Sequence, residues 1–211
     1  ANTASLLVSY SLLLGCNYGC DTLIPQYYGG EKRMMSVILQ RAIIIFLYIW
    51  TICWIFLLNA EKLKNIFLIE KFNYVSLEIS STMIARDENI VHLANIYLQY
   101  FTLTIPFLSL SITLRMYILT TGKQLPIIVS NIFANIISAI AHYICLYKLN
   151  LGIRSAPISI TIAYAFIVLC YILYIRFSSL YKETWQPITR ACLEDWHIYL
   201  TYAMPGIVIV V

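Results

Sequence analysis

Five stretches of about 20 predominantly apolar residues follow one another along this chain, and a sixth begins at its end. They run approximately from Thr3 to Tyr27, Val37 to Leu58, Asn95 to Leu119, Pro126 to Leu149 and Pro157 to Phe177, and the last starts near Trp196. Each is long enough to cross the hydrocarbon of a bilayer as a helix. With 61% hydrophobic and 11% charged residues and a mean hydropathy of +0.78, the chain lies outside the range of soluble domains. The expected fold class is therefore an all-α polytopic membrane protein. A chain that begins inside one apolar run and ends inside another is expected to be a piece of a longer polypeptide. No basic n-region precedes the first run, so a signal peptide is not expected.

Short polar connections (GGEKRMMS, TGKQL and KLNLGIRSA) join most spans and imply antiparallel neighbours. The exception runs from Asn59 to about Ala94, where Val75 to Ser80 alternates apolar and polar as a short strand or interfacial segment would. Basic residues divide seven to six between alternate sides: Lys32, Arg33, Arg41, Lys123, Arg176, Lys182 and Arg190 against Lys62, Lys64, Lys71, Arg86, Lys148 and Arg154. The second group sits mostly in the long loop, where the positive-inside rule loses force, so the EKR and TGK loops are expected in the cytosol. Trp50, Trp54, Tyr97 and Tyr147 then fall near the outer interface, and Tyr27, Tyr28 and Tyr117 near the inner one. The net charge of +4 resides in loops and gives no reason to expect nucleic acid. Six cysteines, without paired CxxC spacing, read as small buried apolar residues.

Polar residues inside the spans are not scattered. At about 100° per residue, Asn131, Asn135, Ser138 and His142 share a wedge of roughly 60° on the fourth span. Phe133, Ile136, Ile137, Ile140 and Ile144 hold its other face. On the third span Gln99, Thr102, Pro106, Ser109, Thr113, Tyr117 and Thr120 fall on one side, with Arg115 almost opposite. Pro106 removes a backbone donor and is expected to bend that helix. In the first span Ser11, Gly15 and Gly19 form a small-residue strip that lets another helix approach closely. Thr3, Tyr10, Asn17, Asp21 and Tyr28 lie on a different side.

Taken one span at a time, such stripes read as hydrogen-bonding contacts between helices, worth about 0.6 kcal/mol each. Three stripes on three spans carry more polar groups than a dry bundle satisfies, and a water-filled cavity is the expected account. His142 alone reads as a hydrogen-bonded core histidine rather than a proton carrier. Cys16 and Cys20 read as packing rather than metal ligands. The chain lacks HExxH, GxSxG, Walker A and any Gly-rich phosphate loop, and its three histidines lie in separate loops or spans. No enzyme activity, metal or cofactor is expected.

The run from Cys20 to Gly29 (CDTLIPQYYG) resembles the cytosolic end of the second helix in the multidrug and toxin extrusion (MATE) transporters, particularly their animal branch. Val37 to Arg41, the Leu-Pro and Asn-bearing helix from Leu125 to Tyr143, Leu151 with Gly152, and the TW…CLEDW…MPG pattern from Thr184 to Gly206 follow in collinear order. The resemblance implies two six-helix lobes facing each other across a cleft that opens alternately to either side. Residues 1–195 would supply helices two to six of the first lobe, and 196–211 the start of helix seven. The chain would thus hold most of one lobe, five complete spans plus the start of a sixth, in a twelve-helix transporter.

The long loop at 59–94 would carry an insertion at 68–84. Other departures from the family pattern are Arg115 one place early, His142 where asparagine is usual, Pro25 for a small residue, and no second glycine between Gly152 and Pro157. The resemblance implies export of organic cations or xenobiotics in exchange for protons or sodium, with the plasma membrane as the expected location. It places the coupling carboxylates outside this chain, in the second lobe or on the first helix.

Under that reading Asn17, Gln99, Thr102, Ser109, Thr113, Asn131, Asn135, Ser138 and His142 line the cleft wall, and Asp21 is the cytosolic gate candidate. Two alternatives stay open. One is a flippase of lipid-linked precursors from the same superfamily, expected to have a more basic cavity. The other is a scaffold or non-functional fragment.

Overall fold

The computed structural model describes residues 2–58, 93, 96–97, 99–187, 192 and 196–210, with side-chain environments for all of these except 2–10, 53, 56–58, 179, 209 and 210. The expected insertion at 68–84, the strand at Val75 to Ser80 and all of the 59–94 loop except Leu93 lie outside the described residues.

Every regular element among the described residues is helical. The elements are α1 (Asn2–Gly29), α2 (Met34–Leu58), α3 (Thr104–Thr120), α4 (Leu125–Tyr143), a π segment (Ile144–Lys148), a 3-10 turn (Gly152–Arg154), α5 (Ser155–Phe177), a short α6 (Ser179–Thr184) and α7 (Trp196–Val210). Met34–Ile52, Gln99–Thr120, Leu125–Lys148 and Gly152–Phe177 are long and apolar enough to cross a membrane. The expected first span, α1, is a 28-residue helix, about 42 Å long at 1.5 Å per residue, whose apolar run is interrupted by Asn17 and Asp21.

α1 is the hub and packs against α2, α3 and α7, while α3 also meets α5, which in turn pairs with α4. Leu13, Cys16, Cys20, Leu23 and Ile24 of α1 join Ile38, Leu39 and Ala42 of α2, and Leu114 and Ile118 of α3, in one continuous core. α4 stands at the edge. Ser130 and Ala134 are its buried residues, whereas Phe133, Ile136, Ile140 and Ile144 are exposed, which is the lipid-facing side expected of it.

Prolines act where the helix geometry says they must. Pro126 and Pro157 sit in the first turns of α4 and α5, where the missing N–H would have had no partner. Pro106 deprives the Thr102 carbonyl of its helical donor four residues on. The helix breaks there into a turn at Thr102 and Leu103, and the Trp50 indole Nε1 donates to that carbonyl at 3.3 Å.

Aromatic pairs mark the two ends of the bundle. Trp50 stacks on Trp54 at 5.5 Å, and Tyr143 meets Tyr147 at 5.0 Å, on the side expected to be outer. At the opposite end Tyr181 stacks on Trp185 at 5.6 Å, with Arg176 over the Tyr181 ring at 4.3 Å. Tyr117, expected near the inner interface, bonds to Thr184 beside that pair. It is fully buried, and the hydrogen bond between the two hydroxyls is 2.5 Å long.

Candidate functional site

The expected site residues separate into three groups, according to which helices hold them. Asn17, Ser109 and Thr113 meet in the contact of α1 with α3. Asn17 is 3% exposed, and its amide nitrogen donates to the Leu13 carbonyl at 2.9 Å. The Thr113 hydroxyl lies 2.9 Å from Asn17 Oδ1 and 3.0 Å from the Ser109 carbonyl. These groups satisfy one another across a closed helix contact. The face was legible from helical spacing; the partner helix was not.

Thr102 is buried in the turn at the entry to α3, and Gln99 is exposed one turn before it. The remaining four stand on α4. Asn131, Ser138 and His142 are half-buried and Asn135 is exposed, its amide nitrogen donating to the Asn131 carbonyl at 2.9 Å.

A side-chain contact ties the antiparallel α4–α5 pair together, with His142 Nδ1 lying 3.2 Å from Ser159 Oγ. The Ser159 hydroxyl lies 2.9 Å from both the Ser155 and Ala156 carbonyls. Two residues after His142 the helix widens. Leu149 N–H reaches back five residues to the Ile144 carbonyl at 3.1 Å, and Asn150 follows in a left-handed conformation, φ 51°. Ser159 was not among the expected site residues, although the four-residue spacing of Ser155 and Ser159 was a signal available in the fifth span.

Asp21 is half-buried on α1, one turn beyond Asn17. One of its carboxylate oxygens is buried without a hydrogen-bond partner among the described residues. Arg115 of α3 acts on it electrostatically, and the same guanidinium acts on Tyr171 of α5. By helical spacing Arg115 stands opposite the polar stripe of α3. That side of α3 carries Thr104, whose hydroxyl lies 2.7 Å from that of Thr161 on α5. Arg115 itself is exposed and stands on the side of α3 that meets α5.

The face of α1 bearing Gly15 and Gly19 is covered by α7. A Cβ on Gly15 would lie 2.5 Å from the Ile207 Cα, and one on Gly206 would lie 2.7 Å from the Gly15 carbonyl. Nearer the cytosolic end expected from the loops, the buried Tyr199 hydroxyl donates to the Cys16 carbonyl at 2.7 Å and lies 3.3 Å from Cys20 Sγ. This seam closes the helix pair from mid-span to that end. The segment leading to α7 is held too. Ser36 Oγ accepts from Gln186 N–H at 2.9 Å, and Gln40 Nε2 donates to the Gln186 carbonyl at 2.9 Å. Cys192 Sγ donates to Gln40 Oε1 at 2.8 Å.

Residues 1–144 match the family model described as MatE. The chain is 31% identical over 193 residues to multidrug and toxin extrusion protein 1 of Mus musculus, which covers 91% of this chain and 31% of that protein. It is 29% identical over 197 residues to the Homo sapiens protein of the same name, with 93% and 32% covered, and 26% identical over 216 residues to multidrug and toxin extrusion protein 2 of Mus musculus, with 99% and 35% covered. The chain thus spans about a third of the length of the curated relatives it matches.

Proposed function

The chain belongs to the MatE family, and from that membership we propose that it forms one wall of the cleft in a secondary active exporter, exchanging organic cations or xenobiotics for protons or sodium at the plasma membrane. The observation that carries the reading is the polar face of α4. Asn131, Asn135, Ser138 and His142 run along a membrane-length helix at its edge, with Asn135 exposed. Polar groups at bilayer depth face protein or water rather than lipid. A stripe of neutral amide and hydroxyl groups offers adaptable hydrogen bonding to varied substrates, and aromatic faces lining the cleft attract organic cations.

Asp21 serves as the gate candidate under this reading. The nearby α1–α7 seam holds one end of the cleft shut, and passage requires the seam to part. Asn17, Ser109 and Thr113 hold α1 on α3 as the wall moves.

The test is uptake of a fluorescent organic cation by proteoliposomes carrying the full-length protein, with and without a pH or sodium gradient. Uptake driven by one of those gradients is expected, and its absence under both overturns the exporter reading. At the level of the wall, cysteine at Asn135 is expected to react with a water-soluble thiol reagent. At Ile136, on the lipid side, it is not.

A further inference from the structure

We propose that His142 is a proton-binding site of this lobe, held by Ser159 in the tautomer that leaves Nε2 free as the base. The inference rests on the exporter reading for its role in transport, but its geometry stands apart from it. A serine hydroxyl has one proton. Ser159 Oγ lies 2.9 Å from two carbonyls of its own helix, those of Ser155 and Ala156, and 3.2 Å from His142 Nδ1. With its proton directed at the carbonyls, Ser159 offers His142 a lone pair, and Nδ1 must carry the hydrogen that fills it. In the neutral ring Nε2 then holds the unshared pair. Protonation at Nε2 leaves the Ser159 contact in place, so the ring gains a charge without losing its anchor.

The surroundings set this histidine apart from a structural one. It lies half-buried on the same face as the exposed Asn135, two positions before the helix widens into the π segment. The groups facing it from α5 are the Ser159 hydroxyl and the carbonyls behind it. The other titratable side chains of α5 (Tyr164, Cys170, Tyr171, Tyr174 and Arg176) lie further along that helix. The π segment contributes the buried Cys145, the exposed Tyr147 and Lys148. Arg154 of the 3-10 turn is drawn over the Tyr100 ring at 5.5 Å, and Arg115 is the one charged residue of α3. No carboxylate stands on α3, α4 or α5, so the imidazole of His142 is the group on these three helices suited to taking up and releasing a proton. A proton on Nε2 makes this wall cationic and repels an organic cation. Loss of the proton to water restores a neutral wall, and the two positive ligands exclude each other.

The experiment uses the full-length protein in nanodiscs, titrated calorimetrically with tetraethylammonium in buffers of different ionisation enthalpy across about pH 5 to 8. Wild type is expected to release protons on binding. His142→Asn, whose amide can still meet Ser159, is expected to bind the cation with release lowered by up to about one proton per cation. Equal release from both overturns the proposal. Nitrogen-15 histidine spectra of the same protein supply the second arm, with the His142 signal identified by its loss in His142→Asn or, should that variant not fold, in His142→Gln. The expected signature is an Nδ1–H tautomer that titrates at Nε2, and a mixed tautomer in Ser159→Ala. A signal that keeps one charge state throughout overturns the proposal. A wild type that binds no organic cation counts against the exporter reading, and the spectra still decide the histidine.

Discussion

At Gly15 the distance between two helices is set by the absence of a side chain. A methyl group there would sit 2.5 Å from the Ile207 Cα and 2.7 Å from its backbone nitrogen, neither of which a rotamer change can move. Gly15→Ala is therefore expected to lower the stability of the full-length protein by about 1–3 kcal/mol, read as a fall in Tm in nanodiscs. Gly206→Ala should do the same, since its Cβ would meet Tyr18 Cβ at 2.6 Å. Gly19→Ala meets the Tyr199 ring at 3.2 Å and should cost less. Unchanged Tm in both Gly15→Ala and Gly206→Ala would show that α7 does not pack on α1 in this way. Tyr199→Phe removes a buried hydroxyl but leaves the ring, so the loss should be about 0.5–1.5 kcal/mol. The small-residue strip was legible in the sequence because four-residue spacing suffices to find it. Tyr199, lying 179 residues from its partner Cys20, was not, because no local pattern encodes which distant helix covers a given face.

At the scale of elements, apolar length did most of the work: in lipid a backbone has few ways to satisfy its own polar groups, so long runs become helices almost regardless of detail. The break before α3 was half legible. Pro106 announced a freed carbonyl, yet its donor, Trp50, belongs to another helix and had been read as an interfacial anchor. The two residues should be coupled. Trp50→Phe is expected to cost about 0.5–1.5 kcal/mol in wild type and measurably less in Pro106→Ala, where the restored N–H competes for the Thr102 carbonyl. A double-mutant cycle in Tm checks this, and additive effects would refute the exchange of donors. The candidate site was legible in the same partial way. Helical spacing located the polar faces of α1, α3 and α4, but it gave the direction of each face and not what stood opposite. Asn17 meets Thr113 across a closed contact, whereas Asn135 is exposed and hydrogen-bonds within its own helix. The widening after His142 leaves no mark in the sequence, since ICLYK has no residue that excludes ordinary helix.

Across the whole molecule, the connection to α7 is bound to α2 through the backbone of Gln186 rather than its side chain. Gln40→Leu keeps the bulk and removes two hydrogen bonds, to the Gln186 carbonyl and from Cys192. Local opening should then become easier by about 1–3 kcal/mol. Trypsin cleavage after Lys182 in the full-length protein is expected to accelerate roughly tenfold or more, with little change in global Tm. Equal cleavage rates would mean that the clamp does not hold this segment. The seam between α1 and α7 has a further consequence, which concerns how the chain is made. The Tyr199 contact with Cys20 spans 179 residues, which a ribosome takes on the order of 10–40 s to add at about 5–20 residues per second. Throughout that interval the glycine face of α1 is in the membrane with its permanent neighbour not yet synthesised. Newly inserted α1 must be covered by lipid or an insertion chaperone that later yields to α7, and a photo-crosslinker at Gly15 in stalled nascent chains should capture that temporary occupant until Ile207 has emerged.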